Sequence, residues 1–518
     1  MDTRATPKTA IDLVELTVAQ VQAGLATGAF TCEALTQACL DRIAELNPRY
    51  NALIFMNPDA LADARAIDRK RAAGETLPPL AGVPVVIKDP MDMAGIPTTA
   101  GWSLLYSAKG GVDLIPATDS PVVARMRAAG TIMLGKTNVP VLSASGTHAN
   151  DSWAGPTINA AAPDCVPGAS SSGTATAVAL SMAVLGLAEE TGGSIQNPAS
   201  AQGLVGIKPT FALVPNAGVV PLASQRDVVG PIARCVRDAA LCLDVLAGFT
   251  MADPKTTAAI GKLPKGGYTS RLSPTALAGK RLGLYGPGWR DQPLSDGTTA
   301  LYARAQSEIA ERGATLVADP FAGTGFAAIG RAMPGPGHFD PRGMESVPYD
   351  LQQYLQRLGP NAALKTFADF AEATKAEAAF GPTGALRYLA DLPPLKACLA
   401  DPSQPPDMSE FHAAREAYLS IFTAVMDTHR LDALVFPQMR DPLPPLHGGE
   451  PIHETTVCEI NIAGLPGVVV PAGVHDGGAP FCLIFVGRQW SEADLLAYAY
   501  DYEQATRYRR APTLTEAP

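Results

Sequence analysis

The sequence lacks the residue spacings that mark disulfide frameworks and metal sites. Its eight cysteines are scattered without a C-x-x-C pair, and its seven histidines include no H-E-x-x-H motif. Small secreted domains pair many cysteines, and zinc sites repeat short Cys or His spacings. We therefore expect no metal, no other cofactor and no disulfide framework, and we interpret the cysteines as small core residues.

Positive charge is also scarce. Lys and Arg number 40 against 50 Asp and Glu, so the formal net charge is −10. Proteins that bind nucleic acid or anionic membranes usually present a basic surface. The charge balance therefore argues against both as partners, and it leaves the oligomeric state open between a monomer and a homodimer.

Long hydrophobic runs are missing as well. The sixteen residues from Gly173 to Ala188 contain only Gly, Ala, Val, Leu, Met, Ser and Thr, but a membrane-spanning helix needs about 20 residues. The chain opens with Met-Asp-Thr-Arg and shows no apolar secretory segment. We expect no membrane partner and a cytoplasmic location.

What is present is a chain of 518 residues with 47% hydrophobic and 17% charged residues, enough to build a large core. Length alone would suggest about three domains. The layout of the motifs described below favours instead a single large α/β domain over residues 1–518.

Two clusters of small, hydroxyl-bearing residues bracket the apolar segment. The first is Gly168-Ala-Ser-Ser-Ser-Gly-Thr174, and the second is Thr191-Gly-Gly-Ser194. Because no polar face survives between them, we predict a helix from Gly173 to Ala188 that is buried on all sides. Loops at its two ends would bring the serine clusters together.

The second cluster has a composition suited to catalysis. Gly192 and Gly193 let the backbone turn sharply, and their unshielded N–H groups can converge on a developing negative charge. One such Gly-Ser loop taken alone most often carries no chemistry.

A lysine upstream of the two clusters makes a catalytic role for the Gly-Ser loop more plausible. Val83 to Ile87 is a run rich in β-branched residues that predicts a buried strand, and Lys88 follows it. A lysine at a strand end is usually a surface residue. A buried lysine instead gives up its proton more readily, and it can serve as the base that a serine nucleophile needs.

Together these residues resemble the amidase signature family, the serine hydrolases with a Ser-cisSer-Lys triad. The family pattern is approximately G-G-S-S-G-G-S and then G-T-D-T-G-G-S-I-R-x-P, where this chain has the first cluster and Ala188-Glu-Glu-Thr-Gly-Gly-Ser-Ile-Gln-Asn-Pro198. By motif position Ser194 resembles the nucleophile, Ser170 the bridging serine with a cis peptide bond, and Lys88 the base. The resemblance implies an oxyanion hole made by the N–H groups of Thr191, Gly192, Gly193 and Ser194.

The chain departs from the family pattern beside the expected site. Glu190 replaces the usual Asp, Gln196 the usual Arg, and Ala169 a Gly. An acid–arginine ion pair would thus give way to a hydrogen bond between a carboxylate and a neutral amide. We expect supporting contacts around the site from Ser171, Glu190, Gln196 and Asp227.

The resemblance covers roughly residues 10–250 and 425–507, with its signature core at 70–250. It implies a mixed central β-sheet of about eleven strands flanked by helices on both faces. Residues 320–410 match least, and we expect a variable helical region there that shapes the substrate pocket. A helical insertion without substrate contact is the alternative. Weak candidates for the pocket wall are His338, Phe339, Tyr349 and Tyr354.

The activity that the resemblance implies is cleavage of the C–N bond of an amide through an acyl-enzyme on Ser194. The partner would be a small-molecule substrate, with aryl or alkyl amides and carbamates (urethanes) preferred; esters present the same carbonyl. Two alternatives stand beside this reading: an amidotransferase A-like protein that works within a larger complex, and a non-catalytic amidase-like scaffold. Retention of Lys88, Ser170 and Ser194 weighs against the scaffold.

Overall fold

The computed structural model describes residues 11–144, 150–330, 339–390 and 392–514. Its strands are β1 Leu53–Met56, β2 Pro84–Lys88, β3 Ile132–Thr137, β4 Leu185–Glu190, β5 Val205–Lys208, β6 Val228–Ala233, β7 Arg281–Leu284, β8 Thr315–Val317, β9 Ala433–Pro437, β10 Gly467–Val474 and β11 Pro480–Val486. They form one eleven-stranded sheet in the order β1-β3-β2-β4-β6-β5-β10-β11-β9-β7-β8.

The sheet is mixed. Strand β2 runs parallel to both β3 and β4, and β7 runs parallel to both β8 and β9. The remaining neighbours pair antiparallel. The predicted fold class, a mixed sheet of about eleven strands, is therefore confirmed.

Helices cover both faces of the sheet. Those described are α1 Val18–Thr27, α2 Cys32–Tyr50, α3 Ala60–Ala72, α4 Pro121–Ala128, α5 Ser172–Ala179, α6 Gln196–Ala201, α7 Val236–Leu246, α8 Asp296–Glu311, α9 Val347–Arg357, α10 Phe367–Ala373, α11 Pro393–Ala400, α12 Ser409–Thr428, α13 Cys458–Ala463 and α14 Glu492–Thr506. Helices α5 and α6 pack against the central strands, and so do α7 and α14. No helix within the described residues is both long enough and apolar enough to cross a membrane.

The predicted helix from Gly173 to Ala188 is wrong in its second half. Helix α5 ends at Ala179, the chain turns through Ser181 with a positive φ of 56°, and β4 begins at Leu185. Strand β4 pairs with β2 on one side and β6 on the other, and it is buried throughout. A segment buried on all sides shows no periodicity, so an apolar helix and a central strand look the same in sequence.

Two hydrophobic clusters hold the structure together. The larger one, which we call the sheet core, surrounds the sheet and includes Val85, Val86 and Ile87 of β2. The smaller one, which we call the second cluster, joins α9, α10 and α11 to the loops around Trp102 and Leu222. The described residues between Met344 and Leu395 thus build mainly on the second cluster, outside the sheet.

Candidate active site

The amine of Lys88 lies at the centre of the candidate site. Lys88 is the last residue of β2, where the β-branched run places it beside β4, and its side chain has 0% exposure. Its Nζ is 2.6 Å from Ser170 Oγ and 3.0 Å from the carbonyl oxygen of Glu189. The lysine is therefore a buried group in contact with a serine hydroxyl.

Ser170 lies in the loop that leads into α5. The Ala169–Ser170 peptide bond is cis, as the resemblance implies. The glycine two positions before Ser170, Gly168, has a φ of +76°, and a Cβ there would lie 2.5 Å from Pro198 Cα. A side chain at Gly168 would clash with the backbone after Ser194, so glycine lets the two serine clusters meet.

The second serine cluster forms an open loop between β4 and α6. Gly193 has a φ of +100°, which favours glycine. Among the described residues, no hydrogen bond uses the N–H groups of Thr191, Gly192, Gly193 or Ser194. Ser194 keeps 8% of its surface exposed. The loop can therefore present both a hydroxyl and free N–H donors to a ligand.

The carboxylate of Glu190 holds the C-terminal end of this loop by hydrogen bonds. Its Oε2 accepts hydrogen bonds from the backbone N–H groups of Ile195 (2.8 Å) and Gln196 (3.1 Å). Its Oε1 accepts from Gln196 Nε2 at 2.5 Å and from Asn461 Nδ2 at 2.7 Å. Four amide N–H groups thus donate hydrogen bonds to this buried carboxylate. Gln196 stands at the motif position of the family's arginine, and its side chain is neutral.

Asp227 supports the other end of the loop. Its carboxyl accepts hydrogen bonds from the N–H groups of Leu222 and Ala223, and Thr191 Oγ1 lies 2.5 Å from its Oδ1. Burial, together with the negative charge of Glu189, raises the pKa of Asp227 to about 8. The neutral form of Asp227 is therefore favoured more than that of an exposed aspartic acid.

The sequence reasoning missed Glu189. Its side chain is 2% exposed, and its Oε2 forms an ion pair with Lys88 Nζ at 2.6 Å. Ser171, predicted to support the site, donates from its Oγ to the Glu189 carbonyl at 3.2 Å. A signal was present in the sequence, because Glu189 stands where the family pattern has Thr.

Residues from the variable region reach the site through Phe339. A Cβ at Gly192 would lie 2.7 Å from Phe339 Cε2, so the ring sits directly against the loop. The guanidinium of Arg226 packs 5.3 Å from the centre of the same ring and donates to the carbonyls of Asp340 (2.6 Å) and Arg342 (2.9 Å). Phe339 therefore flanks the candidate oxyanion loop.

The other candidates for the pocket wall lie elsewhere. Tyr354 donates its hydroxyl to Asp92 Oδ1 at 2.8 Å. Tyr349 and Tyr354 line a cavity of about 500 Å³ whose wall also includes Asp227 and Lys255. His338 lies outside the described residues.

The site contains no recognisable metal-ligand set. Among the described residues, no group of three or more His, Cys, Asp or Glu side chains is arranged to hold a metal ion. The polar groups that converge are a lysine, three serines, two glutamates and an aspartic acid. Such a set is suited to proton transfer and nucleophilic attack.

Comparisons with known proteins identify the family. The Amidase family model matches residues 34–322. A curated relative, the A subunit of glutamyl-tRNA(Gln) amidotransferase from Chloroflexus aggregans, is 32% identical over 98% of this chain and 100% of its own length. A second relative with the same name, from Moorella thermoacetica, is 32% identical over 97% of this chain and 99% of its own length.

Solved structures agree with the sequence matches. The native peptide amidase from Stenotrophomonas maltophilia superposes with a TM-score of 0.81 at 34% identity, covering 98% of this chain and 99% of that one. A bacterial aryl acylamidase of the amidase signature enzymes shares the fold, with a TM-score of 0.73 at 24% identity over 96% of this chain and 99% of that one. The chain belongs to the amidase family, the amidase signature enzymes.

Proposed function

We propose that this protein is an amide hydrolase that cleaves C–N bonds through an acyl-enzyme on Ser194. The observation that carries the proposal is the contact of 2.6 Å between Lys88 Nζ and Ser170 Oγ, in a fully buried setting. A serine hydroxyl needs a base to become a nucleophile, and a lysine amine in contact with a bridging hydroxyl can supply one.

The first half of the reaction forms the acyl-enzyme. The Lys88 amine takes the Ser170 hydroxyl proton while Ser170 takes the proton of Ser194, whose Oγ attacks the substrate carbonyl carbon. The carbonyl oxygen becomes an oxyanion beside the free N–H groups of Thr191 to Ser194. Collapse expels the leaving nitrogen, which takes a proton back along the same chain and departs as the neutral amine.

The second half repeats this sequence with water. Water gives a proton through Ser170 to the Lys88 amine as its oxygen attacks the acyl carbon, and when the intermediate collapses that proton returns from Lys88 through Ser170 to the departing Ser194 Oγ. The products are a carboxylic acid and the regenerated serine. No proton is gained or lost by the enzyme over the cycle.

The substrate class that we favour is an amide or carbamate with an uncharged aryl or alkyl group. Phe339 lies against Gly192, so a group bound beside the loop would meet an aromatic face. The similarity to a peptide amidase adds a peptide amide as a further form of the same bond.

A matched hydrolysis panel tests the proposal. We would compare a primary amide, an anilide, an aryl carbamate, an ester and a peptide amide that share one acyl group where chemistry allows. We expect turnover of at least one C–N substrate by the wild type and none by Ser194→Ala. Turnover that persists in Ser194→Ala would refute the nucleophile, and ester cleavage alone would refute the amide assignment.

A role like that of the amidotransferase relatives is the second candidate. This second role is favoured because the similarity to the A subunit of glutamyl-tRNA(Gln) amidotransferase spans the whole length of that relative. The net charge of −10 argues against this role, because it disfavours nucleic acid as a partner. Hydrolysis of the panel by the isolated chain supports the first proposal, whereas ammonia transfer seen only with added partner proteins supports the second. Failure of Ser194 to react at all would favour a scaffold.

A further inference from the structure

The carboxylate of Glu189 completes the set of acceptors around the Lys88 amine. Lys88 Nζ has three neighbours within hydrogen-bond distance: Ser170 Oγ at 2.6 Å, the Glu189 carbonyl at 3.0 Å and Glu189 Oε2 at 2.6 Å. Two of these three come from one residue, which lies on the strand next to β2. Lys88 and Glu189 are both almost fully buried, with exposures of 0% and 2%.

This arrangement fixes the direction of the amine. A neutral lysine amine has two N–H bonds and one lone pair. When both N–H bonds point to Glu189 oxygens, the lone pair is left facing the Ser170 hydroxyl. That is the orientation in which the amine can accept a proton from Ser170.

We propose that Glu189 is a positioning residue that aims the Lys88 amine at Ser170 and places a buried negative charge beside it. The inference rests on the proposed function, because it concerns the base of that same reaction. It departs from the family pattern, in which Thr occupies this place and supplies no charge.

The surrounding charges leave Glu189 as the one carboxylate in direct contact with Lys88 among the described residues. Asp89, which follows Lys88, is paired with Lys136 at 3.3 Å. Asp227 faces Glu189 across Thr191, and Lys255 acts on Asp227 by its charge. Glu190 is directed to the opposite side of the strand, where Ile195, Gln196 and Asn461 bind it.

Thr191 joins the two acidic residues. Its Oγ1 lies 3.1 Å from Glu189 Oε1 and 2.5 Å from Asp227 Oδ1. A hydroxyl has one hydrogen and can donate to only one of two carboxylates. A proton on Asp227, which the raised pKa of that group favours, would supply the second hydrogen. Glu189, in contact with Lys88, is the carboxylate of the two that pairs with a cation.

Two substitutions separate charge from position. Glu189→Gln keeps an oxygen acceptor for the amine but removes the charge, so we expect the pH profile of the Ser194 reaction to move to lower pH. An opposite charge at this distance typically moves such a titration by about one to three pH units. Glu189→Ala removes both the charge and the side-chain acceptor, and it should lower the plateau rate as well as the midpoint of the pH profile.

The test measures how fast Ser194 reacts with phenylmethanesulfonyl fluoride between pH 5 and 10, by mass spectrometry, which needs no knowledge of the substrate. The rate should rise with pH to a plateau, and the pH of half-maximal rate is the midpoint. We expect the midpoint of Glu189→Gln to lie about one to three pH units below that of the wild type. The plateau rates of the two proteins should agree within about tenfold. Glu492→Gln is a matched control, because Glu492 is also buried but binds the N–H of Thr210. Its midpoint should stay at the wild-type value.

The outcomes distinguish this inference from the proposed function. A wild-type Ser194 that never reacts would overturn both. A reactive wild type with an unchanged or raised midpoint in Glu189→Gln would overturn the role of Glu189 alone. If Glu189→Gln does not fold, Glu189→Thr, which restores the family residue, must show the same downward shift.

Discussion

The sheet core and the second cluster contribute to the site in different ways. Lys88 and Glu189 lie on adjacent central strands, fully enclosed by the sheet core. Phe339 reaches the same loop from residues 339–390 and packs against both clusters. The candidate proton-transfer groups thus stand on the most constrained part of the molecule, whereas the aromatic ring beside them lies where the sheet core meets the second cluster.

Two adjacent residues connect these regions. Arg226 donates to the carbonyls of Asp340 and Arg342, and Asp227 holds Thr191 at the start of the oxyanion loop. We infer a division of roles between the two clusters. The sheet core positions the groups that attack the carbonyl, and the second cluster influences which substrate is bound. Each prediction below tests one side of that division.

The largest effects should come from the sheet core. Ser194→Ala and Lys88→Ala should each reduce turnover of the best panel substrate by at least about a thousandfold. They should differ in stability, because Lys88→Ala leaves the Glu189 carboxylate buried without its cation. Thermal unfolding should therefore show a lowered Tm for Lys88→Ala and a Tm near wild type for Ser194→Ala. Wild-type turnover by Lys88→Ala at neutral pH would contradict its role as base.

The next largest effect should come from the centre of the second cluster. Phe370 is buried beside Trp102, with ring centres 6.0 Å apart. Phe370→Ala should cost about 3–5 kcal/mol of stability through lost burial and a cavity. Denaturant unfolding followed by tryptophan fluorescence measures it. If the division holds, Ser194 in the folded variant reacts with the sulfonyl fluoride at a rate within about tenfold of the wild-type rate. A thousandfold lower rate would show that the sheet core and the second cluster are not separable.

A smaller effect should follow from changing the aromatic wall. Phe339→Ala should alter the preference between the anilide and the primary amide by about tenfold, since an aromatic–aromatic contact is worth about 0.5–1.5 kcal/mol beyond the area that it buries. The kcat/KM values of both substrates give the ratio. Phe339→Leu, which keeps an apolar side chain, should change it less. An unchanged ratio in both variants would support the helical insertion without substrate contact.

The effect at Asp227 should be seen in the pH dependence of stability and not in turnover. Its pKa is raised from 3.8 to about 8 by burial first and then by Glu189. Between pH 3.8 and about pH 8 the Asp227 carboxyl holds its proton in the folded protein but has lost it in the unfolded chain. The free energy of unfolding that Asp227 contributes therefore decreases as the pH rises toward 8. The free energy of unfolding of the wild type should therefore fall relative to that of Asp227→Asn from pH 5 to pH 8, as measured in urea. A difference that stays constant or grows with pH would contradict the protonated Asp227.

Much of this arrangement could be predicted from the sequence. The run Val83 to Ile87 indicated the buried strand that presents Lys88, and the two small-residue clusters indicated loops that meet. Gly168 and Gly193 provide the physical reason, because both have positive φ values and a Cβ at Gly168 would meet the backbone of Pro198.

Other features could not be read from the pattern. The strand β4 was hidden in an apolar run, because burial on both faces removes the alternation that identifies a strand. The ion pair of Glu189 with Lys88 depends on the pairing of β4 with β2, which the sequence order does not reveal. The contact of Phe339 with Gly192 joins residues 147 positions apart in a region that matches the family least.

The most direct test of the central claim is to trap the acyl-enzyme. Wild-type protein is quenched in acid during turnover of the best panel substrate, and the acyl group is located by peptide mapping with mass spectrometry. The account predicts one acyl group, on Ser194, which is absent from Ser194→Ala. An acyl group on another residue, or full turnover with no acyl group on any residue, would contradict it.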